Sequence, residues 1–240
     1  MYKRSKLHKL PEVTALQRFF KLFSVDCVFD VGANAGQYAK MLRNDVRFEG
    51  IIFSFEPIPE LAERLKEAAK RDPKWFIFDF ALSDSAGETI FNIMRNDQFS
   101  SFGTPTSDET DECSRLNQIE RSVHVQKKTL NNVFPILSNQ YAFKKPFLKM
   151  DTQGFDISVA KGASEVITNF LGIQSELSFK KIYAEAVDYK EAISFYENCG
   201  FELSALFQNN AGHFPHLLEM DCMMVNRSML IPSHKQTISS

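Results

Sequence analysis

The feature that most constrains this chain is a series of short, unbroken apolar runs, each stopped by an acid or a glycine. Val25-Asp26-Cys27-Val28-Phe29-Asp30-Val31 halts at Gly32, and Ile51-Ile52-Phe53-Ser54-Phe55 halts at Glu56-Pro57. Trp75-Phe76-Ile77-Phe78-Asp79-Phe80-Ala81, Phe147-Leu148-Lys149-Met150-Asp151 and Ile173-Gln174-Ser175-Glu176-Leu177 follow the same plan. Runs of this length and apolarity read as strands buried on both faces. Between them lie segments with helical periodicity: Gly36 to Arg43, Pro59 to Arg71, Thr129 to Leu137, a helix from Gly154 through Lys161 that reaches at furthest Phe170, and Lys190 to Cys199 with Gly200 as its stop. Strands alternating with helices at this interval predict an α/β fold around a mostly parallel sheet. Phe201 to Phe207 and Asp221 to Val225 close the pattern as two strands with no helix between them, so an antiparallel edge is expected there. Many of the 23 phenylalanines fall in these strands and thicken the core.

The remaining chain is organised around that unit. Pro11 to Phe23 is spaced as an amphipathic helix and places residues 1–24 as an N-terminal helical extension. Residues 25–226 form one domain, and residues 227–240 a loose tail. Thr89 to Met94 and Val123 to Gln126 are further predicted strands. The polar stretch 95–121 between them is expected to be a long loop or lid. At 240 residues one domain of ordinary size is expected, and a hydrophobic fraction of 44% is enough for a substantial core.

Charge and cysteine content exclude several classes. The net charge of −2 carries no basic excess, and no dense basic patch interleaves with aromatics, so no nucleic-acid partner is expected. The four cysteines form no CxxC pair, which excludes a zinc ribbon or a thioredoxin-type site; Cys27 and Cys222 read as buried thiols. His213 and His216 form an HxxH without a third ligand nearby, so no metal is expected, and His124 reads as a cross-strand residue. The basic start, from Lys3 to Lys9, lacks the apolar stretch of a secretory signal, and no run is long enough to span a bilayer. A cytoplasmic protein is expected, with at most weak contact between that basic start and an anionic membrane surface.

In an open α/β sheet a ligand binds beyond the carboxyl ends of the strands. Asp30-Val31-Gly32-Ala33-Asn34-Ala35-Gly36 closes the first strand. Its Gly-x-Asn-x-Gly spacing departs from the GxGxxG dinucleotide pattern, and an acid two residues before the first glycine suits an amino group better than a pyrophosphate. Glu56 closes the second strand, where a carboxylate can accept both hydroxyls of a ribose. Asp79-Phe80-Ala81-Leu82-Ser83-Asp84 closes the third and can border a purine.

This ordered set resembles the class I S-adenosylmethionine-dependent methyltransferases, and within them the FkbM family. The likeness is carried by VFDVGANAGQYA from Val28, FSFEPIPE from Phe53, ALSD from Ala81, Ser100-Ser101, FLKMDTQG from Phe147, and Val159-Ala160-Lys161-Gly162-Ala163. The chain departs from the family at Gln153 and Asp156, where Glu is commoner. The resemblance implies a doubly wound, seven-stranded sheet with helices on both faces, and S-adenosyl-L-methionine as cofactor. It places Asp30, Gly32, Asn34 and Gly36 around the methionine part, Glu56 on the ribose, and Asp79, Ala81 and Leu82 beside the adenine. Asp151 would lie close to the sulfonium methyl. The expected reaction is O-methylation of a sugar, glycan or small-molecule hydroxyl. Such an acceptor needs a proton sink, for which Asp151 and Glu176 are the candidates. Ser100 and Ser101, flanked by Phe99 and Phe102, and His213 are candidate substrate contacts. A catalytically silent cofactor-binding or scaffold protein of the same fold, and an NAD(P)-dependent oxidoreductase, are the alternative readings.

Overall fold

The computed structural model describes residues 8–94, 119–180, 187–208 and 217–230. Seven strands form the central sheet: β1 (Cys27–Val31), β2 (Ile51–Phe55), β3 (Trp75–Phe78), β7 (Pro146–Met150), β8 (Gly172–Ser178), β9 (Phe201–Phe207) and β10 (Glu219–Asn226), in the order β3-β2-β1-β7-β8-β10-β9. The first five are mutually parallel, and β10 runs antiparallel to both β8 and β9. The expected α/β architecture with antiparallel pairing at that edge is therefore present.

Helices cover both faces. On one lie α1 (Leu10–Phe23), α2 (Gln37–Met41), which runs on into a π-helical turn at Leu42–Val46, and α3 (Pro59–Ala69). On the other lie α4 (Leu130–Tyr141), α5 (Asp156–Lys161) and α6 (Tyr189–Asn198). Strand alternation divides the apolar side chains between the layers: Cys27, Phe29 and Val31 face α4, whereas Val28 faces α1. Phe29, Phe53, Phe134, Phe143 and Phe170 interlock by edge and stacked contacts in the α4 layer. On the opposite face Phe19 and Phe20 of α1 meet Phe147 edge-on. Capping fixes the helix starts: the Thr129 side chain accepts from Asn132 N–H ahead of α4, and Asp188 accepts from Lys190 N–H ahead of α6.

Three readings change. The third apolar run is not one strand. It breaks after Phe78, where Asp79 turns out to pair with Lys66 at 3.0 Å. Ala81–Leu82 becomes β4 of a separate three-stranded sheet, ordered β4-β6-β5, with β5 (Gly87–Met94) and β6 (Ile119–Lys128). β6 thus begins inside the stretch read as a loop and places His124 opposite Ile90; residues 95–118 lie outside the described residues. This sheet packs on α3 through Phe91 and Val125 against Ile58 and Leu61. The helix from residue 154 also stops early, at Lys161, and the chain there passes so close to Ser83 that a Cβ on Gly162 would stand 2.0 Å from its carbonyl oxygen. The ALSD and Lys-Gly-Ala motifs are thus one packing contact, reinforced by Ser83 and Ser158 hydroxyls at 3.1 Å.

Candidate functional site

Strand order reverses between β1 and β7, so the crevice of this sheet opens beyond their carboxyl ends. Three residues stand immediately past the strand ends there: Gly32 after β1, Glu56 after β2 and Asp151 after β7. Gly32 adopts φ +75°, and a Cβ on it would lie 2.0 Å from the Asp151 carbonyl oxygen. Only glycine permits the two loops to touch. Gly36 likewise leaves room for Leu65 and Trp75. The turn between these glycines is pinned from outside: Gly32 and Ala33 N–H both donate to the Phe55 carbonyl, and Asn34 N–H donates to Glu56 Oε2 at 2.7 Å.

Glu56 is 4% exposed, and its Oε1 accepts from Ile58 N–H at 2.9 Å. Burial pushes its carboxyl up to about 7, against the pull of those two backbone donors. One carboxylate therefore ties the glycine turn to the start of α3.

One residue before each strand end lies a second row. Ser54, Asp30 and Lys149 are the penultimate residues of β2, β1 and β7, and parallel register aligns them side by side, with Gln174 of β8 next in line. All four are buried. Lys149 Nζ lies 3.1 Å from Asp30 Oδ1 and 3.7 Å from Asp151 Oδ2, and donates to the Gly32 carbonyl at 3.3 Å. Burial alone would lower the Lys149 ammonium, but Asp30 and Asp151 outweigh it and hold it above its usual range. Ser54 donates to Asp30 Oδ2 at 3.0 Å and accepts from Trp75 Nε1. Tyr38 faces the Lys149 ammonium with its ring and donates through its hydroxyl to Gln174, which in turn donates to Glu12 of α1.

Asp30 is thus enclosed behind the turn as the partner of Lys149. Asp151 is the acid that reaches the open side, with its side chain 42% exposed. Asp151 Oδ1 accepts from the Gln153 amide at 3.1 Å, and the same amide donates to Glu176 Oε2 at 3.2 Å, so the two candidate acids are brought together by one side chain. Burial, followed by the charges of Glu219, Asp151, Asp221 and Asp156, pushes Glu176 well above the carboxylate range. Asp156 fixes the loop beneath them. Its oxygens accept from Thr152 N–H and hydroxyl, Ser175 hydroxyl and Glu176 N–H.

The third candidate segment is less uniform. Asp79 sits at the surface, held below the ordinary range chiefly by its hydrogen bond from Lys66. Ala81 and Leu82 are buried within β4. Ser100, Ser101 and His213 lie outside the described residues. Among the described residues no group of three or more His, Cys, Asp or Glu is arranged to hold a metal ion, and no helix is long and apolar enough to cross a membrane. Sequence reasoning offered Lys149 as an ion-pair partner of Asp151 but did not identify its contact with Asp30 or the roles of Ser54, Gln174, Tyr38 and Gln153. The available signal was positional: one polar residue, next to last, in each of three otherwise apolar parallel strands.

A family model described as the methyltransferase FkbM domain matches residues 30–203. The structure is similar to that of methyltransferase FkbM from Methylobacillus flagellatus KT, with TM-score 0.52 and 14% identity, covering 84% of this chain and 43% of that one. The chain thus spans less than half the length of that protein. It also aligns with magnesium protoporphyrin IX methyltransferase from Synechocystis PCC 6803, solved with bound SAM, at TM-score 0.49 and 6% identity over 92% of this chain and 81% of that one. A third match is N-methyltransferase NodS from Bradyrhizobium japonicum WM9, at TM-score 0.47 and 10% identity over 91% and 96% of the two chains. No curated protein is matched. At such identities the likeness establishes the fold, that of class I methyltransferases.

Proposed function

The chain belongs to the methyltransferase FkbM domain family, and from that premise we propose that it uses S-adenosyl-L-methionine to methylate a hydroxyl of a sugar, glycan or other small molecule. The observation that carries this reading is the row of Gly32, Glu56 and Asp151 across the mouth of the crevice at the β1/β7 reversal. The residues there suit the cofactor: a bare glycine cradle, a buried acid beside it, and an exposed acid opposite.

The cofactor supplies a methyl group activated on a sulfonium for in-line displacement. Gly32, Asn34 and Gly36 line its methionine end, and Asp30 acts on that end through Lys149 and the turn backbone. Glu56 accepts the ribose hydroxyls. The adenine is assigned to the Asp79–Leu82 segment, where Asp79 is the exposed acid and Ala81 and Leu82 are buried apolar neighbours. Asp151 takes the acceptor's proton, since it is the acid open to that side. Glu176, joined to Asp151 through the Gln153 amide, is the second candidate for that proton. Ser100, Ser101 and His213 are the proposed acceptor contacts, and the protein acts in the cytoplasm.

The test is incubation with methyl-labelled cofactor and a panel of glycans, lipids and metabolites, read by label transfer, with thermal shift on each cofactor. Stabilisation by NAD and none by S-adenosylmethionine would sink the reading.

A pH dependence follows from Glu56. Its folded value of about 7 lies above the ordinary 4.5, so the folded chain retains a proton that the unfolded chain releases over that window. The apo-protein should lose stability as pH rises through the window and level off above it. Ribose hydroxyls favour the carboxylate, so cofactor affinity should rise with pH across about 6 to 8, the range that brackets this titration. Calorimetric titration of wild type and Glu56→Gln checks both signs: the variant should bind more weakly by about 1–3 kcal/mol and show a flat profile. A variant with the wild-type slope would remove Glu56 from the ribose.

A further inference from the structure

The Lys149 ammonium has three hydrogens, and three acceptors surround it: Asp30, Asp151 and the Gly32 carbonyl. Two carboxylates thus oppose one ammonium. Asp30 is sealed from solvent and also accepts from Ser54, so the surplus negative charge of the cluster resides on Asp151, at the open rim. Burial pushes the neighbouring Glu56, Asp156, Glu176 and Asp221 above their usual range. The Asp151 backbone borders Gly32, and its carboxylate shares the Lys149 ammonium with the Gly32 carbonyl, so this charge stands next to the cradle proposed for the cofactor's methionine end.

We propose, resting on the methyltransferase reading above, that the single net negative charge of the Asp30–Lys149–Asp151 cluster selects the cationic sulfonium cofactor over its neutral demethylated product. When the methyl carbon leaves, the C–S bonding pair stays on sulfur and the formal positive charge disappears, so the cluster's attraction is felt before transfer and lost after it. The charge that orients the cofactor thereby promotes product release.

The experiment needs no acceptor. S-adenosylmethionine and S-adenosylhomocysteine are titrated calorimetrically into wild type, Asp151→Asn and Asp151→Glu. A charge pair at a half-exposed rim is worth on the order of a ten-fold change in affinity. Wild type should therefore prefer S-adenosylmethionine by about ten-fold, Asp151→Glu should retain the preference, and Asp151→Asn should abolish it. Equal affinities for the two ligands in wild type, an undiminished preference in Asp151→Asn, or equal loss in both variants overturns the proposal while leaving the methyltransferase reading in place. Failure of wild type to bind either ligand would sink that reading and this one with it.

Discussion

Lys149→Met is expected to destabilise the fold by about 3–5 kcal/mol, the cost of leaving a buried charge without its partner. Methionine fills nearly the volume of the lysine stem, so packing against Tyr38 changes little. What changes is Asp30, which is sealed from solvent and would keep only the Ser54 hydroxyl on one oxygen. The double variant Asp30→Asn/Lys149→Met removes both charges and should recover most of the loss, because neutralising a buried pair together is often close to neutral for stability. Urea denaturation of the two single variants and the double variant gives the coupling energy directly. Additive effects would show that the two side chains do not interact as the 3.1 Å contact requires.

Gly32→Ala is expected to cost roughly 2–5 kcal/mol and to abolish cofactor binding. Left-handed backbone at φ +75° strains an L-residue by about 1–2 kcal/mol. Overpacking adds about 1–3 kcal/mol, and here the atoms met are the carbonyl oxygen and carbon of Asp151, backbone that no rotamer change can clear. Relief requires the β1 and β7 loops to separate, which moves Asp151 away from the turn. Gly87→Ala is the comparison: it carries φ +140° but would meet nothing within 4 Å, so strain alone remains. Thermal and urea unfolding should rank Gly32→Ala well below Gly87→Ala. Equal losses would mean that the close approach of the two loops does not matter.

Much of this was legible in the amino-acid order. Buried strands announce themselves by unbroken apolarity, and an interruption such as Gly32 or Glu56 is conspicuous against it. Hence five parallel strands, their helices and the strand-end residues could be located before any geometry. Three things were not legible. The break after Phe78 depends on Ala81–Leu82 finding Lys127 and Lys128 as pairing partners, a contact between distant segments. The close approach of Gly162 to the Ser83 carbonyl, just past the end of α5, is again a contact between distant segments. The pairing of Asp30 with Lys149 depends on two strands meeting, which the neighbours of Asp30 in sequence do not show.

The sequence by itself determined the alternation of strand and helix and the set of chemical groups that end each strand, because both depend on local pattern. Only the tertiary structure decided which acid is enclosed and which is open. Parallel register set Ser54, Asp30, Lys149 and Gln174 in one line, and once that line was buried, each charge had to be matched by the residue beside it. Pairing depends on distance across strands, and strands 119 residues apart in the chain, such as those carrying Asp30 and Lys149, become neighbours only through the fold.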